Sequence, residues 1–106
     1  MLVELTEENI KTEVIDNNLP VIIKAYAAWC GPCIQMTPIF EEVSKLFIDK
    51  VKFLELNVDQ ARDLAIQYGI TSIPTMIFIK NGQIVSKETG FMDKETLQAK
   101  VEAFIK

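Results

Sequence analysis

Two cysteines separated by two residues are the group in this sequence best suited to chemistry. They stand in the segment Trp29-Cys30-Gly31-Pro32-Cys33, and the chain holds no other cysteine. Two thiols at this spacing can close a small disulfide and open it again, which makes a reversible two-electron redox centre. The segment therefore predicts thiol–disulfide exchange.

The two thiols are predicted to have different roles. Cys30 follows a buried strand and opens a helix, so unpaired backbone N–H groups and the helix dipole favour its thiolate, the form that attacks a disulfide. Cys33 lies one turn further and is more deeply buried, so Cys30 is the predicted nucleophile and Cys33 the resolving thiol. Trp29, Gly31 and Pro32 complete the active-site loop. Pro32 costs no hydrogen bond in the first helical turn and stiffens the loop.

Three other uses of a cysteine pair fit this sequence less well. Structural zinc takes four Cys or His ligands, and the chain has two cysteines and no histidine, so a zinc site would need two copies of the chain. A static disulfide across so short a loop would add little stability. Two inert core thiols are not expected on either side of a Gly-Pro turn. With no glycine-rich dinucleotide motif, we expect no metal and no cofactor besides the Cys30–Cys33 disulfide.

Length and composition predict a single small domain over residues 1–106. About half of the 106 residues are apolar, which is enough for a core of its own. The net charge of −4 and the lack of a basic stretch argue against nucleic acid and anionic membranes as partners. The start does not resemble a signal peptide, and no apolar run approaches the ~18 residues of a membrane helix. We therefore expect a cytoplasmic monomer, in a compartment where cysteine pairs are more often catalytic or metal-binding than structural.

The predicted elements alternate between helices and strands. In chain order they are a helix over 7–17 capped by Thr6, a strand over 21–27, a helix after the cysteines kinked at Pro38, a strand over 51–58 and a short helix from Asp59 to Tyr68. The two strands are mostly apolar runs, which is typical of strands buried on both faces. This alternation predicts parallel strands with helices on both faces of the sheet.

The last third of the chain predicts a hairpin followed by a helix. Residues 75–80 and 83–89 flank Asn81-Gly82, the pair that best suits a two-residue type I′ turn. Asp93 is the predicted N-cap of the last helix. Because the hairpin adds antiparallel strands, the complete sheet is expected to be mixed.

The cysteine segment and several separated motifs resemble the thioredoxin family. The segment 29–33 is similar to the family's active site, and Pro38 matches the proline in its active-site helix. The stretch 68–75 resembles the segment that holds its cis-proline, 78–82 resembles its hairpin, and Gly90 its final loop. The resemblance covers nearly the whole chain. It implies an α/β thioredoxin fold, with a central five-stranded mixed sheet flanked by four α-helices.

The resemblance also implies how a client protein would bind. Pro74 would be cis and lie beside the cysteines, and the backbone of Ile73 would pair with an extended client segment. A shallow apolar contact surface would be formed by Trp29, Pro32, Ile73, Gly90 and Phe91. The alternatives are a strand-start proline with no further role at 74 and a core aromatic residue at 29.

The activity implied by the resemblance is the reduction of protein disulfides. The chain would carry electrons in cell redox homeostasis from a flavin-dependent thioredoxin reductase, which uses NADPH, to disulfide-containing clients. One rival is an oxidising or isomerising domain of the same superfamily, although Gly-Pro between the cysteines resembles the reducing members. A second rival is a non-enzymatic subunit that binds a partner protein through the surface around Trp29 and Phe91.

The sequence departs from the family at two charged residues. Lys24 stands in a buried strand where thioredoxins usually carry Asp, and Glu55 stands where they usually carry Lys. Unpaired charges are rarely buried, so we predict that the two face each other on adjacent parallel strands under the disulfide. Either Glu55 moves a proton on or off the resolving thiol, or Lys24 favours its thiolate directly. The remaining alternative is that both are edge or surface residues without a redox role.

Overall fold

A central mixed sheet carries helices on both faces. The computed structural model describes residues 2–106, so Met1, the first residue of the predicted domain, lies outside the described residues. The strands are β1 (Val3–Glu4), β2 (Val21–Tyr26), β3 (Lys52–Asn57), β4 (Thr75–Lys80) and β5 (Gln83–Thr89). They lie in the order β1-β3-β2-β4-β5, with β1, β3 and β2 parallel and the pairs β2–β4 and β4–β5 antiparallel. The predicted five-stranded mixed sheet is confirmed.

Among residues 2–106, four helices cover this sheet, as predicted. They are a π-helix (Lys11–Ile15), α1 (Gly31–Leu46), α2 (Arg62–Gln67) and α3 (Lys94–Phe104). Apolar residues of α1 and α3 pack with one face of the sheet in the cluster that contains Phe40 and Leu97. Residues of the π-helix and α2, such as Val14 and Leu64, pack on the other face. Burial of each large apolar side chain contributes about 1.5–3 kcal/mol relative to exposure.

Strand β2 lies between the two apolar clusters. Its first five residues are all buried, and because side chains alternate across a strand, Ile22 joins the cluster of α1 and α3 while Ile23 joins that of α2. Lys24 follows on the same face as Ile22. A mid-strand lysine is thus placed beneath helix α1, and it is fully buried there.

The first helix differs from the prediction of a helix over 7–17. Thr6 does begin a capped turn, since its Oγ1 accepts the N–H of Asn9 at 3.2 Å while Asn9 Oδ1 accepts the N–H of Thr6 at 2.7 Å. This reciprocal pair is a capping box, and the N–H of Ile10 donates to the carbonyl of Thr6 at 3.0 Å, as at a regular helix start. The regular element is confined to Lys11–Ile15, and its wide turn is marked by the bond from the N–H of Asp16 to the carbonyl of Lys11 at 2.8 Å.

The predicted cap at Asp59 is wrong. Helix α2 begins only at Arg62, and no side chain caps it. The side chain of Asn57 organises this turn instead, because its Oδ1 accepts the N–H groups of Asp59 at 2.9 Å and Gln60 at 3.2 Å. The Asp59 carboxylate is thereby free to accept a hydrogen bond from the indole N–H of Trp29 at 2.8 Å.

The hairpin and the last helix agree with the prediction. Asn81 and Gly82 have φ angles of 52° and 76°, the positive values that a type I′ turn requires at both positions. Asp93 caps α3 by accepting the N–H of Thr96 at 2.8 Å. That hydrogen bond lowers the pKa of the Asp93 carboxyl.

Candidate active site

The cysteine pair lies at the start of helix α1, directly after the turn that follows β2. Cys30 is the N-cap residue in an extended conformation, and its Sγ accepts the N–H of Cys33 at 3.3 Å. The two residues form a disulfide with a Cα–Cα distance of 5.2 Å. A sulfur at this position faces the unpaired N–H groups and the positive end of the helix dipole, which favour a thiolate.

Burial distinguishes the two cysteines. Cys30 is 6% exposed and Cys33 is 1% exposed, in the order that the sequence predicts. Both pack with Ala27, and partly buried Val58 and Ile73 close the cluster. Because Cys30 is the more accessible of the two, it is the sulfur better placed for contact with another protein.

Pro74 lies in the segment that borders this cluster. The Ile73–Pro74 peptide bond is cis, as the resemblance implied. The Pro74 carbonyl accepts the N–H of Gly90 at 2.8 Å, and Gly90 has a φ of 100°, which glycine adopts without the strain that a side chain would introduce. The structure therefore joins Ile73, Pro74 and Gly90 in one backbone arrangement beside the disulfide.

An exposed apolar surface lies around the disulfide. Trp29 is 71% exposed and Phe91 is 49% exposed, so Trp29 is not a core residue. A shallow groove next to the disulfide is lined by Trp29, Val58, Ile70, Thr71, Ser72 and Ile73. Phe91, Pro32 and Gly90 do not line this groove. Val58 and Ile70 were not predicted, although their positions after β3 and before the cis-proline are signals that place them near the cysteines.

The predicted charged pair is present on the inner side of the disulfide. Lys24 and Glu55 are register partners on β2 and β3, and Lys24 Nζ lies 2.9 Å from Glu55 Oε2. The Lys24 side chain is fully buried, whereas that of Glu55 is 16% exposed. The alternative of an exposed lysine is wrong, because Lys24 lies under α1. Its ammonium group also lies 5.5 Å from the ring centroid of Tyr26 and 5.6 Å from that of Phe40, distances at which aromatic rings attract cations.

A threonine connects this pair to the cysteines. Lys24 Nζ donates a hydrogen bond to Thr37 Oγ1 at 2.9 Å, and Thr37 Oγ1 donates to the carbonyl oxygen of Cys33 at 3.2 Å. The sequence did not reveal Thr37 as a site residue. Its position four residues after Cys33 on the same helix face is the signal that was available.

The charged pair extends to the edge of the sheet through β1. Glu4 is the register partner of Glu55, and the hydroxyl of Tyr26 donates a hydrogen bond to Glu4 Oε2 at 2.6 Å. Partial burial and the neighbouring Glu55 carboxylate raise the pKa of Glu4. Burial and the bond to Glu4 raise the pKa of Tyr26. Glu4, Glu55 and Lys24 thus form a row across three parallel strands, which we term the charged row.

The described residues, 2–106, hold no group of three or more His, Cys, Asp or Glu side chains that could bind a metal ion. Within the same range, none of the helices has the length and apolar character needed to cross a membrane.

Comparison with known proteins decides the family. The Thioredoxin family model matches residues 1–103. The chain belongs to the thioredoxin family. Proteins named Thioredoxin from Synechocystis sp. and from Chlorobaculum thiosulfatiphilum are 38% and 37% identical to it over 102 residues, covering 96% of this chain and 95% and 94% of those proteins. A Thioredoxin from Rickettsia felis is 41% identical over 93 residues, or 88% of this chain and 89% of that protein.

Family membership and the cysteine pair together define the activity. The chain is a thiol–disulfide oxidoreductase that acts on protein disulfides, and Cys30–Cys33 is its redox-active pair. Thioredoxin-family proteins need no bound cofactor for this chemistry, because the two sulfurs hold the exchanged electrons.

Proposed function

We propose that the chain reduces disulfide bonds in client proteins and is returned to the dithiol by a thioredoxin reductase. The observation that carries this proposal is the placement of Cys30 as the more accessible sulfur at the N-terminus of α1, with Ile73 packed against the cysteine pair. Gly-Pro between the cysteines, as in reducing members of the family, favours reduction over oxidation or isomerisation.

The proposed exchange has two steps. The Cys30 thiolate attacks one sulfur of the client disulfide, which forms a mixed disulfide and releases the other client sulfur as a thiolate. Cys33 then loses its proton and attacks Cys30 Sγ, which releases the second client sulfur and forms the Cys30–Cys33 disulfide. Two electrons pass to the client, whose two thiolates take up protons. A reductase that supplies two electrons restores both thiols.

The proposed client-binding surface lies on the outer side of the disulfide. Its residues are Trp29, Gly31, Pro32, Ile73, Pro74, Gly90 and Phe91. The Ile73 backbone before the cis bond would pair with an extended client segment, as an added strand. The exposure of Trp29 and Phe91 supports this proposal, because large exposed apolar side chains mark contact surfaces.

The proposed role of the charged pair is to tune the resolving thiol. Lys24 is linked to Cys33 through one hydroxyl group, which supports a direct effect of its positive charge on the Cys33 thiolate. Glu55 would hold the ammonium in place and balance its charge. The other mechanism, in which Glu55 accepts the proton of Cys33, predicts a different response to Lys24→Met, given below.

We further propose that residues 1–106 act as one cytoplasmic domain, as a monomer without cofactor or metal. Clients and the reductase would be its partners, rather than nucleic acid or membranes. The net charge of −4 supports the exclusion of polyanionic partners.

The decisive experiment is covalent trapping of clients. Cys33→Ser should accumulate mixed disulfides through Cys30, and Cys30→Ser is the matched control that should accumulate none. If only Cys30→Ser traps clients, the two roles are reversed. Insulin reduction with NADPH and a panel of thioredoxin reductases then tests the reductase partnership, and failure with every reductase contradicts it.

Two further measurements test the rival functions. A reduction potential near the value of about −270 mV known for thioredoxins supports a reductase, whereas one near about −120 mV indicates a strong oxidant. Full biological function in the double variant Cys30→Ser, Cys33→Ser would favour a non-enzymatic binding subunit.

A further inference from the structure

The hydroxyl group of Thr37 occupies the space between a buried charge and the resolving cysteine. Its oxygen lies 2.9 Å from Lys24 Nζ and 3.2 Å from the carbonyl oxygen of Cys33. Lys24 is fully buried and Cys33 is 1% exposed. Both ends of the link are therefore shielded from water and Thr37 between them is partly buried, so the charge is screened less than at the surface and the hydrogen bonds polarise one another.

The donors and acceptors available to the two side chains determine which group donates in each hydrogen bond. A charged lysine has three donors and no acceptor, and a hydroxyl has one donor and two acceptor lone pairs. Thr37 must therefore accept from Lys24, and its single proton is left for the carbonyl of Cys33. The hydroxyl dipole points its positive end at the backbone of Cys33, and the ammonium strengthens that polarisation.

The hydroxyl bond of Thr37 matters more for the geometry of helix α1 because a backbone hydrogen bond is missing next to it. Pro38 follows it and has no N–H to donate to the carbonyl of Ile34. The series of backbone hydrogen bonds in α1 is thus interrupted directly after Thr37, at the bond next to the one that the Cys33 carbonyl would accept. A second bond to the Cys33 carbonyl, made by the Thr37 hydroxyl, holds that turn against the sheet through Lys24.

We propose that Thr37 is a positioning residue that couples the positive charge of Lys24 to Cys33 and thereby favours the Cys33 thiolate in the resolving step. Thr37 forms and breaks no covalent bond. It acts while Cys33 gives up its proton and attacks Cys30 Sγ, and the client sulfur leaves. This inference rests on the proposed resolving role of Cys33.

The titratable groups around this link lie on three neighbouring strands. Glu55 on β3 contacts Lys24 directly, Glu4 on β1 lies beyond Glu55 in the charged row, and Tyr26 on β2 lies beside the ammonium. The negative charges of both carboxylates disfavour the Cys33 thiolate and so oppose the effect of Lys24. The hydroxyl of Thr37 is the group through which the cation reaches the Cys33 backbone.

Thr37→Val tests the proposal, because valine keeps the branched shape and loses the hydroxyl. We expect the pKa of Cys33, measured from thiolate ultraviolet absorbance in a Cys30→Ser background, to rise by about half a unit. The rate of resolution of a preformed mixed disulfide at neutral pH should fall about threefold in the variant that retains Cys30. Thr37→Ser should restore both values, because it restores the hydroxyl.

Ser44→Ala is the matched control on the same helix. The Ser44 hydroxyl also donates to a backbone carbonyl, that of Glu41 at 2.6 Å, but this bond is exposed to solvent and lies about two helical turns beyond Thr37. An equal pKa shift in Ser44→Ala, an unchanged pKa in Thr37→Val, or no rescue by Thr37→Ser overturns the proposal. So does a loss of stability without a pKa shift, since a merely structural role predicts that result. Thr37→Ala replaces the valine variant if that variant does not fold.

The test separates this inference from the proposed function. If Cys33→Ser traps clients while Thr37→Val leaves the Cys33 pKa unchanged, the role of Thr37 is wrong and the exchange mechanism stands. If Cys33→Ser traps no client, the resolving role of Cys33 is wrong and the inference fails with it.

Discussion

The two sides of the disulfide are built from opposite chemistry. The outer side is an exposed apolar surface that includes Trp29 and Ile73, with Trp29 held by a single hydrogen bond to Asp59. The inner side is a buried polar cluster in which Lys24 contacts Glu55 and Thr37. The outer side has the features of a binding surface, and the inner side has those of a site that shifts thiol ionisation. Substitutions should therefore separate client binding from thiol chemistry.

Glu55→Gln should have the largest effect, and on stability. It leaves the fully buried Lys24 ammonium without a counter-charge, and breaking a buried ion pair in this way costs about 3 kcal/mol. Urea denaturation of the variant measures the change in the free energy of unfolding. Glu8→Gln, at an exposed glutamate, is the control. A loss as small as that of the control would mean that the pair does not stabilise the fold.

Lys24→Met should raise the pKa of Cys33 by about one unit, equivalent to about 1.4 kcal/mol. Methionine keeps most of the side-chain volume and removes the charge that we propose favours the Cys33 thiolate. The pKa is measured in the Cys30→Ser background, and the affinity of that protein for a client peptide should not change. Little change in the Cys33 pKa would instead support Glu55 as the proton acceptor.

Trp29→Ala should weaken client binding and leave the Cys33 pKa unchanged, the reverse of Lys24→Met. Loss of the exposed indole removes apolar contact with clients, and we expect kcat/KM for insulin reduction to fall about fivefold, which is the size of a moderate interface contact. The pKa of Cys33 should stay as it is in the unmodified chain. A shift in that pKa would show that the two sides of the disulfide are not independent. Asp59→Asn sharpens the test, because it weakens the hydrogen bond to Trp29 and keeps the ring.

Glu4→Gln should have the smallest effect, seen as a change in the pH dependence of stability. Folding raises the pKa of Glu4 above its ordinary value of 4.5, so the folded state binds more protons in the range just above pH 4.5 and stability falls as pH rises through it. Glutamine removes this fall in the free energy of unfolding. For a group as exposed as Glu4, the fall should be below about 1 kcal/mol. Unfolding at several pH values measures it, with Glu7→Gln as the control for net charge. A slope as steep as in the unmodified chain would contradict the prediction.

Local signals account for the parts of the fold that the sequence predicts well. Asn81-Gly82 permits few turns other than type I′, so the hairpin follows from two residues. Lys24 and Glu55 could be paired because neither charge tolerates burial alone. At Asp59, however, two local rules compete, because the side chain of the preceding Asn57 accepts the N–H groups of Asp59 and Gln60. Both patterns are local and the sequence does not rank them, so the start of this helix could not be predicted.

The cysteine loop was the most directly predictable part of the site, because one element defines it. The cysteines, Pro32 and Trp29 share a single turn, and their motif is specific. Thr37 and Glu4 join the site through contacts across elements. Glu4 belongs to a strand of only two residues, too short to give a periodic pattern, and its neighbour in space is 51 residues away in sequence (55 minus 4). Such pairs become visible only when the sheet register is known.

The shortness of β1 has a practical consequence. This strand carries the outermost carboxylate of the charged row, and it is joined to the sheet by a two-residue register with β3 and by the bond from the N–H of Leu5 to the carbonyl of Glu55 at 2.7 Å. Side-chain donors add two bonds to Glu4, from the hydroxyl of Tyr26 to its carboxylate at 2.6 Å and from Asn9 Nδ2 to its carbonyl at 2.9 Å. We therefore expect an affinity tag or fusion partner attached ahead of Val3 to disturb the charged row, because Glu4 on this strand is the register partner of Glu55, which contacts Lys24.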